Sequence, residues 1–138
     1  MTPTPVRKPL ILKSGGGRTY SCGPMTAVFK ADGAETGDRY SISEWLLEPN
    51  SPGPGAHSHD LNDEIFLVVE GRPSVLVGET WYDVEVGSLI LIPAGTTHDF
   101  ANRTSEPAAL FNVFIPGGFE TNMPAIVEWF AANPLQKR

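Results

Sequence analysis

His57 and His59 are separated by a single serine, and Glu64 follows in the same stretch, GPGAHSHDLNDEIFLVVEG from Gly53 to Gly71. Side chains on an extended strand alternate between faces, so histidines at i and i+2 aim both imidazoles the same way. Such a pair is a two-toothed clamp for a metal ion. Glu64 lies at an odd offset from His59 and would face the opposite side of one continuous strand. The run Asp60-Leu61-Asn62-Asp63 breaks that strand, because Asp and Asn side chains bond their own backbone and favour a turn. Glu64 to Glu70 then forms a new strand ending at Gly71, and a carboxylate joins the two imidazoles from a neighbouring strand.

A third nitrogen ligand has to come from elsewhere, and the remaining histidine of the chain is His98. It stands in GSLILIPAGTTHDFAN, Gly87 to Asn102, where a strand runs into a Pro-Ala-Gly turn and out into another strand. All three histidines thus occupy two segments of one plan, strand, turn and strand. Three neutral imidazoles and one carboxylate leave open positions on a six-coordinate ion. The donor set admits iron, manganese, nickel, copper or zinc and does not choose among them. The alternative is three histidines that fall at these positions by coincidence. Asp60, Asp63 and Asp99 read as solvated turn or outward residues rather than further ligands.

These segments resemble the two motifs of the cupin family. The first motif is His-x-His, a short gap, Glu and a later Gly, met here by His57, His59, Glu64 and Gly71. The second is Gly, Pro-x-Gly, His and Asn, met by Gly87, Pro93, Gly95, His98 and Asn102. One position departs from the pattern, with Ser51 where the family carries glycine ahead of the first histidine. The spacer between Gly71 and Gly87 resembles that of small microbial cupins. Pro116-Gly-Gly-Phe-Glu120 is similar to a segment that follows the last strand in cupins related to quercetin dioxygenases. The resemblance implies an all-β double-stranded β-helix, a jelly-roll barrel with a metal inside one mouth, held by His57, His59, Glu64 and His98.

The elements that must position these residues are short. With 14 Gly and 13 Pro in 138 residues, the chain favours many brief strands and one core. Strands are expected at Ala27–Ala31, Tyr40–Leu47, Glu64–Glu70, Ser74–Val77, Trp81–Val84, Ser88–Ile92, Thr97–Ala101 and Ala108–Ile115, with turns at Asp32-Gly33 and Gly78-Glu79. Residues 1–20 read as an N-terminal arm, 21–116 as the barrel, and 117–138 as a C-terminal segment with one short helix packed on it. That helix is expected to be capped by Asn122, to carry Pro124 in its first turn and to stop at Asn133-Pro134. Ile126, Val127 and Phe130 share one of its faces.

Alternation also furnishes the surroundings of the metal. Phe66 shares the face of Glu64, while Phe100 and Asn102 share that of His98, so all three are expected to line a substrate pocket. For the two phenylalanines, ordinary barrel core is the alternative. Ile65, Leu67 and Val69 face the other way and are also apolar, which calls for a second cover from the N-terminal arm, the terminal helix or a second subunit, and a homodimer is expected.

Composition excludes several classes. A formal net charge of -6 leaves no basic stripe for nucleic acid. Leu10-Ile11-Leu12 is too short an apolar run for a signal peptide or a membrane span, and with a single cysteine, Cys22, a cytoplasmic location is expected. Cys22 itself reads as a packing residue. Gly15-Gly16-Gly17-Arg18 lacks the Gly-Lys-Ser/Thr ending of a phosphate loop and reads as a flexible turn. The resemblance implies a metal-dependent dioxygenase acting on a small enolic or phenolic compound, with Glu64 as ligand and proton acceptor. A metal-dependent isomerase or cyclase and a non-catalytic small-molecule-binding cupin use the same residues, and the sequence does not separate them.

Overall fold

A computed structural model describes residues 7–134. Nine strands build two antiparallel sheets: β1 (Arg18–Cys22), β2 (Met25–Ala31), β3 (Ser41–Leu47), β4 (Asp63–Glu70), β5 (Ser74–Val77), β6 (Thr80–Asp83), β7 (Leu89–Ile92), β8 (His98–Ala101) and β9 (Ala108–Ile115). The large sheet has the order β1-β2-β3-β9-β4-β7 and the small one β6-β5-β8. They face one another as a jelly roll, and helix α2 (Met123–Ala132) lies at one end against β1. Among the described residues no helix is long and apolar enough to cross a membrane.

Period-two alternation decides what enters the core. On β4, Glu64, Phe66 and Val68 are buried while Leu67 and Val69 are exposed. β9 turns Leu110, Asn112 and Phe114 inward, and β3 turns Ser41, Ser43, Trp45 and Leu47. Aromatic rings fill the space between the sheets: Phe29 stacks on Phe114, and Trp45 meets Phe100 edge-on with centroids 5.9 Å apart. Cys22 is fully buried, and burial pushes its thiol up to about 11. It is a packing residue, as its surroundings in the sequence implied.

Several expected elements differ from those observed. Most strand ends shift by a residue or two, the ordinary uncertainty of strand termini. Asp32-Gly33 opens a single helical turn, α1 (Gly33–Thr36), fixed by Arg18, which reaches Asp32 at 2.8 Å and Glu35 at 2.7 Å. A turn of four residues has no hydrophobic period to betray it. The segment assigned to the arm overlaps β1 from Arg18, because that strand is short and polar and takes its order from β2. Residues 1–6 lie outside the described residues, as do residues 135–138. Asn122 does not cap α2 with its side chain; a 3-10 turn over Phe119–Asn122 runs directly into the helix. Pro124 stands in the first turn as expected, and Met123 and Phe130 are the helix residues buried in the barrel.

Candidate metal centre

Backbone pairing brings the two histidine segments together. His57 N donates to His98 O at 3.0 Å and His98 N donates to His57 O at 2.8 Å, so the two residues sit opposite one another. His57 and His59 were expected on a strand; they lie on an extended segment held by isolated bridges at Ser51 and His57, since Pro52 and Pro54 lack the N–H groups a ladder needs. Gly53 lets that segment run close to β8, because a Cβ there would overlap the Phe100 carbonyl oxygen. Gly95 N donates to His59 O at 2.8 Å, and Asp63 Oδ1 accepts from Ala94 N at 2.8 Å, locking the Pro-Ala-Gly turn beside the clamp. Ser51, at the position that departs from the motif, is buried; its hydroxyl closes a turn onto Glu48 O at 2.6 Å and its backbone pairs with Asn102. The ligand segment is therefore anchored without the glycine.

His57, His59, Glu64 and His98 each offer a donor atom within 4.8 Å of the others. The Nδ1 of His57 lies 2.6 Å from Gly55 O, and that of His98 lies 2.9 Å from Thr96 O. A carbonyl only accepts, so both Nδ1 atoms carry hydrogen, and each ring in its neutral form presents a bare Nε2 lone pair to the centre. His98 Nε2 meets Glu64 Oε2, and His59 Nε2 lies 3.3 Å from the same oxygen. Yet neither Glu64 Oε2 nor His98 Nε2, both buried, finds a hydrogen-bond donor or acceptor of proper geometry. Lone pairs aimed at one point in a dry site repel unless a cation or proton lies between them. The residues thus fit a divalent transition metal ion.

The charges agree with that fit. Burial works against the Glu64 carboxylate, but His59 and His98 outweigh it and hold it at about 2. Burial pulls His57 down, keeping it neutral and able to ligate. For His98 burial also pulls down, while the Glu64 carboxylate beside Nε2 and the Thr96 carbonyl at Nδ1 prevail and raise it.

Residues 43–114, just over half of the chain, match the cupin domain family. The chain belongs to the cupin family. Quercetin 2,3-dioxygenase of Bacillus subtilis is 31% identical over 96 residues, 68% of this chain. The chain spans only 28% of that enzyme's length. Among solved structures, KdgF from Halomonas superposes with a TM-score of 0.72 at 14% identity, covering 83% of this chain and 99% of its own. A predicted oxalate decarboxylase from Thermotoga maritima gives 0.70 at 14% identity, covering 78% and 99%. At these identities the two structures speak for the fold alone.

In this cupin the centre opens on a cavity of about 420 Å³. Phe66 and Phe100 line it, as alternation implied, together with Trp45, Phe114, Phe119 and Ile126. Asn102 does not. It is buried on the other side of β8, where its amide donates to Glu48 O at 3.2 Å and Glu106 O at 2.7 Å and accepts from Thr104. Asn102 ends the strand and the polypeptide turns away, so side-chain alternation no longer applies to it. Asp60, Asp63 and Asp99 stay out of the ligand group; Asp99 Oδ1 accepts from Phe100 N and Gly55 N.

The sequence reading missed Trp45, Phe114 and Phe119 as cavity walls. Phe114 and Trp45 were accessible through alternation on β9 and β3. Phe119 was not, because it returns to the site only after the sharp Pro116-Gly117-Gly118 bend. Gly117 is required there, since a Cβ would stand 2.8 Å from Tyr40 O.

Proposed function

We propose that this cupin is a metal-dependent dioxygenase acting on a small, uncharged enolic or phenolic compound. One observation carries the reading: the ligand cluster opens on a cavity walled by aromatic rings, and among the described residues no lysine or arginine lines it. An anionic substrate would lose its hydration there without gaining a cationic partner from the walls. A flat aromatic or enolic ring instead finds edge and face contacts with Trp45, Phe66 and Phe100. The identity to a quercetin dioxygenase over 96 residues supports the same substrate class.

A bound divalent ion would supply Lewis acidity and a template for the reactants. Glu64 lines the cavity beside an apolar wall, and its carboxylate is the acceptor placed there for the substrate hydroxyl proton. Phe119 and Ile126 add apolar wall to the cavity, which disfavours water beside a bound substrate. The test is oxygen consumption by metal-loaded protein offered flavonols, diketones and catechols. Uptake that parallels substrate loss, and stops without air, is expected. Equal conversion under nitrogen would replace the proposal with an isomerase or lyase, and tight binding without conversion would replace it with a binding protein.

We also propose that a second copy of the chain covers the outer face of the large sheet. Ile65 pairs in register with Leu91, and Leu67 with Leu89, so these side chains form one apolar strip at the β7 edge. Leu89 and Leu91 are 67% and 61% exposed, more than a monomer comfortably leaves to water. With a net charge of -6, a copy approaching through this uncharged strip avoids bringing like charges together. The single cysteine accords with a reducing cytoplasm, where we place the protein.

A further inference from the structure

Behind Glu64 a line of polar side chains crosses the inner face of the large sheet. Ser43 and Trp45 share that face of β3; Ser43 sits opposite Asn112 of β9, and Asn112 opposite Phe66 of β4, one pleat from Glu64. Trp45 Nε1 donates to Ser43 Oγ at 3.1 Å, Ser43 Oγ donates to Asn112 Oδ1 at 3.2 Å, and Asn112 Nδ2 donates to Glu64 Oε1 at 3.3 Å. All four residues are buried, with Ser43 and Asn112 at 0% exposure.

The direction of every bond is dictated from both ends. An indole N–H only donates, so Ser43 Oγ receives it and turns its own hydrogen to Asn112 Oδ1. At the other end, Ile65 O only accepts, and it lies 3.4 Å from Asn112 Nδ2. Both constraints give one amide orientation, with the NH₂ toward β4 and its two hydrogens on Glu64 Oε1 and Ile65 O. Polar groups in a dry core cost desolvation, and apolar residues of similar volume would fill this space without that cost. A chain that is fully satisfied and ends on the one carboxylate of the cluster has another consequence.

We propose that Asn112 is a positioning residue of the metal centre, held by Ser43 and Trp45, that occupies Glu64 Oε1 and leaves Oε2 alone to face the ion. This rests on reading His57, His59, Glu64 and His98 as a metal centre. A free carboxylate binds a cation through one oxygen or both. The amide N–H on Oε1 fixes the one-oxygen arrangement and keeps a coordination position open for substrate. Because Trp45 also lines the cavity, the chain joins the substrate's wall to the proton acceptor.

The test uses metal-free full-length protein titrated with Co²⁺ alone, reading the visible spectrum and the dissociation constant for wild type, N112A, E64A and the double variant. N112A is expected to bind Co²⁺ about 10-fold more weakly with an altered spectrum, the usual effect of losing a partner that orients a ligand. In the E64A background the same substitution is expected to change nothing, because the amide acts only through Glu64. An unchanged affinity and spectrum in N112A would overturn the proposal. So would an equal loss in both backgrounds, which is what a purely structural role produces. Failure of the wild type to bind Co²⁺ would instead remove the metal centre itself and the proposal with it. If N112A does not fold by circular dichroism, S43A replaces it in the same comparison, with an expected loss of about threefold and the same overturning results.

Discussion

Phe119 stacks on Phe114 with ring centroids 4.2 Å apart and planes 9° from parallel, and its edge meets the His59 ring at 5.1 Å. Phe114 belongs to the last strand and Phe119 to the segment that leaves it, so the chain folds back over its own end to roof the metal centre. F119A removes both contacts. Since Phe119 is only half-buried, the loss in a urea titration should be about 1–2 kcal/mol, below that of a fully buried phenylalanine. Substrate KM should rise as the roof opens. Wild-type stability and KM together would show that the ring is ornamental.

Glu120, the next residue, ties this roof to the barrel: Oε1 accepts from Gly33 N at 2.7 Å, and Oε2 from Ser41 Oγ at 2.8 Å and Gly118 N at 3.1 Å. Burial pushes its carboxyl up, but these donors prevail and lower it from 4.5. A lowered folded pKa contributes stability that is present above 4.5 and is lost as pH falls through the folded value. E120Q should cost about 1–2 kcal/mol at neutral pH, from the lost charge-assisted bonds, and should flatten the acid side of the stability profile. Urea midpoints at pH 7 and near pH 4 measure it, and an equal acid slope in both proteins refutes it.

E64Q keeps the shape of the side chain and removes its basicity. Turnover should fall by about 100-fold or more at equal metal content, the usual contribution of a positioned base. Full turnover in E64Q would exclude Glu64 as proton acceptor.

Metal affinity should weaken as the solution is acidified. The raised His98 keeps its proton to above 6.5 in the metal-free protein, and an ion must displace that proton to reach Nε2. His57, lowered below 6.5, is already neutral at physiological pH, and Glu64 at about 2 stays ionised throughout. Just below the raised His98 value the affinity should therefore fall by up to about tenfold per pH unit on account of this proton, which is released on binding. Calorimetric titration in two buffers of different ionisation heat counts that proton; a pH-independent affinity contradicts the assignment.

L89E places a charge in the middle of the apolar strip. The wild type should sediment as a dimer at micromolar concentration, and L89E as a folded monomer, because two like charges would then be buried face to face. A monomeric wild type removes the proposed interface.

Local chemistry made the ligands legible. His57 and His59 share a face through the two-residue period, and Asp60 to Asp63 announces a turn through side-chain bonds that act within a few residues. The cupin motifs, the brevity of the strands and the inward faces of Phe66 and Phe100 could be read for the same reason. What alternation could not supply was where a strand stops obeying it, so Asn102 was placed in the pocket although it binds the loop carbonyls of Glu48 and Glu106. The pairing of His57 with His98, the Trp45-Ser43-Asn112 chain behind Glu64 and the return of Phe119 were decided only by the folded sheet. Each joins residues far apart in the chain, and such contacts depend on strand register and on the packing of two sheets, which no short stretch of sequence carries alone.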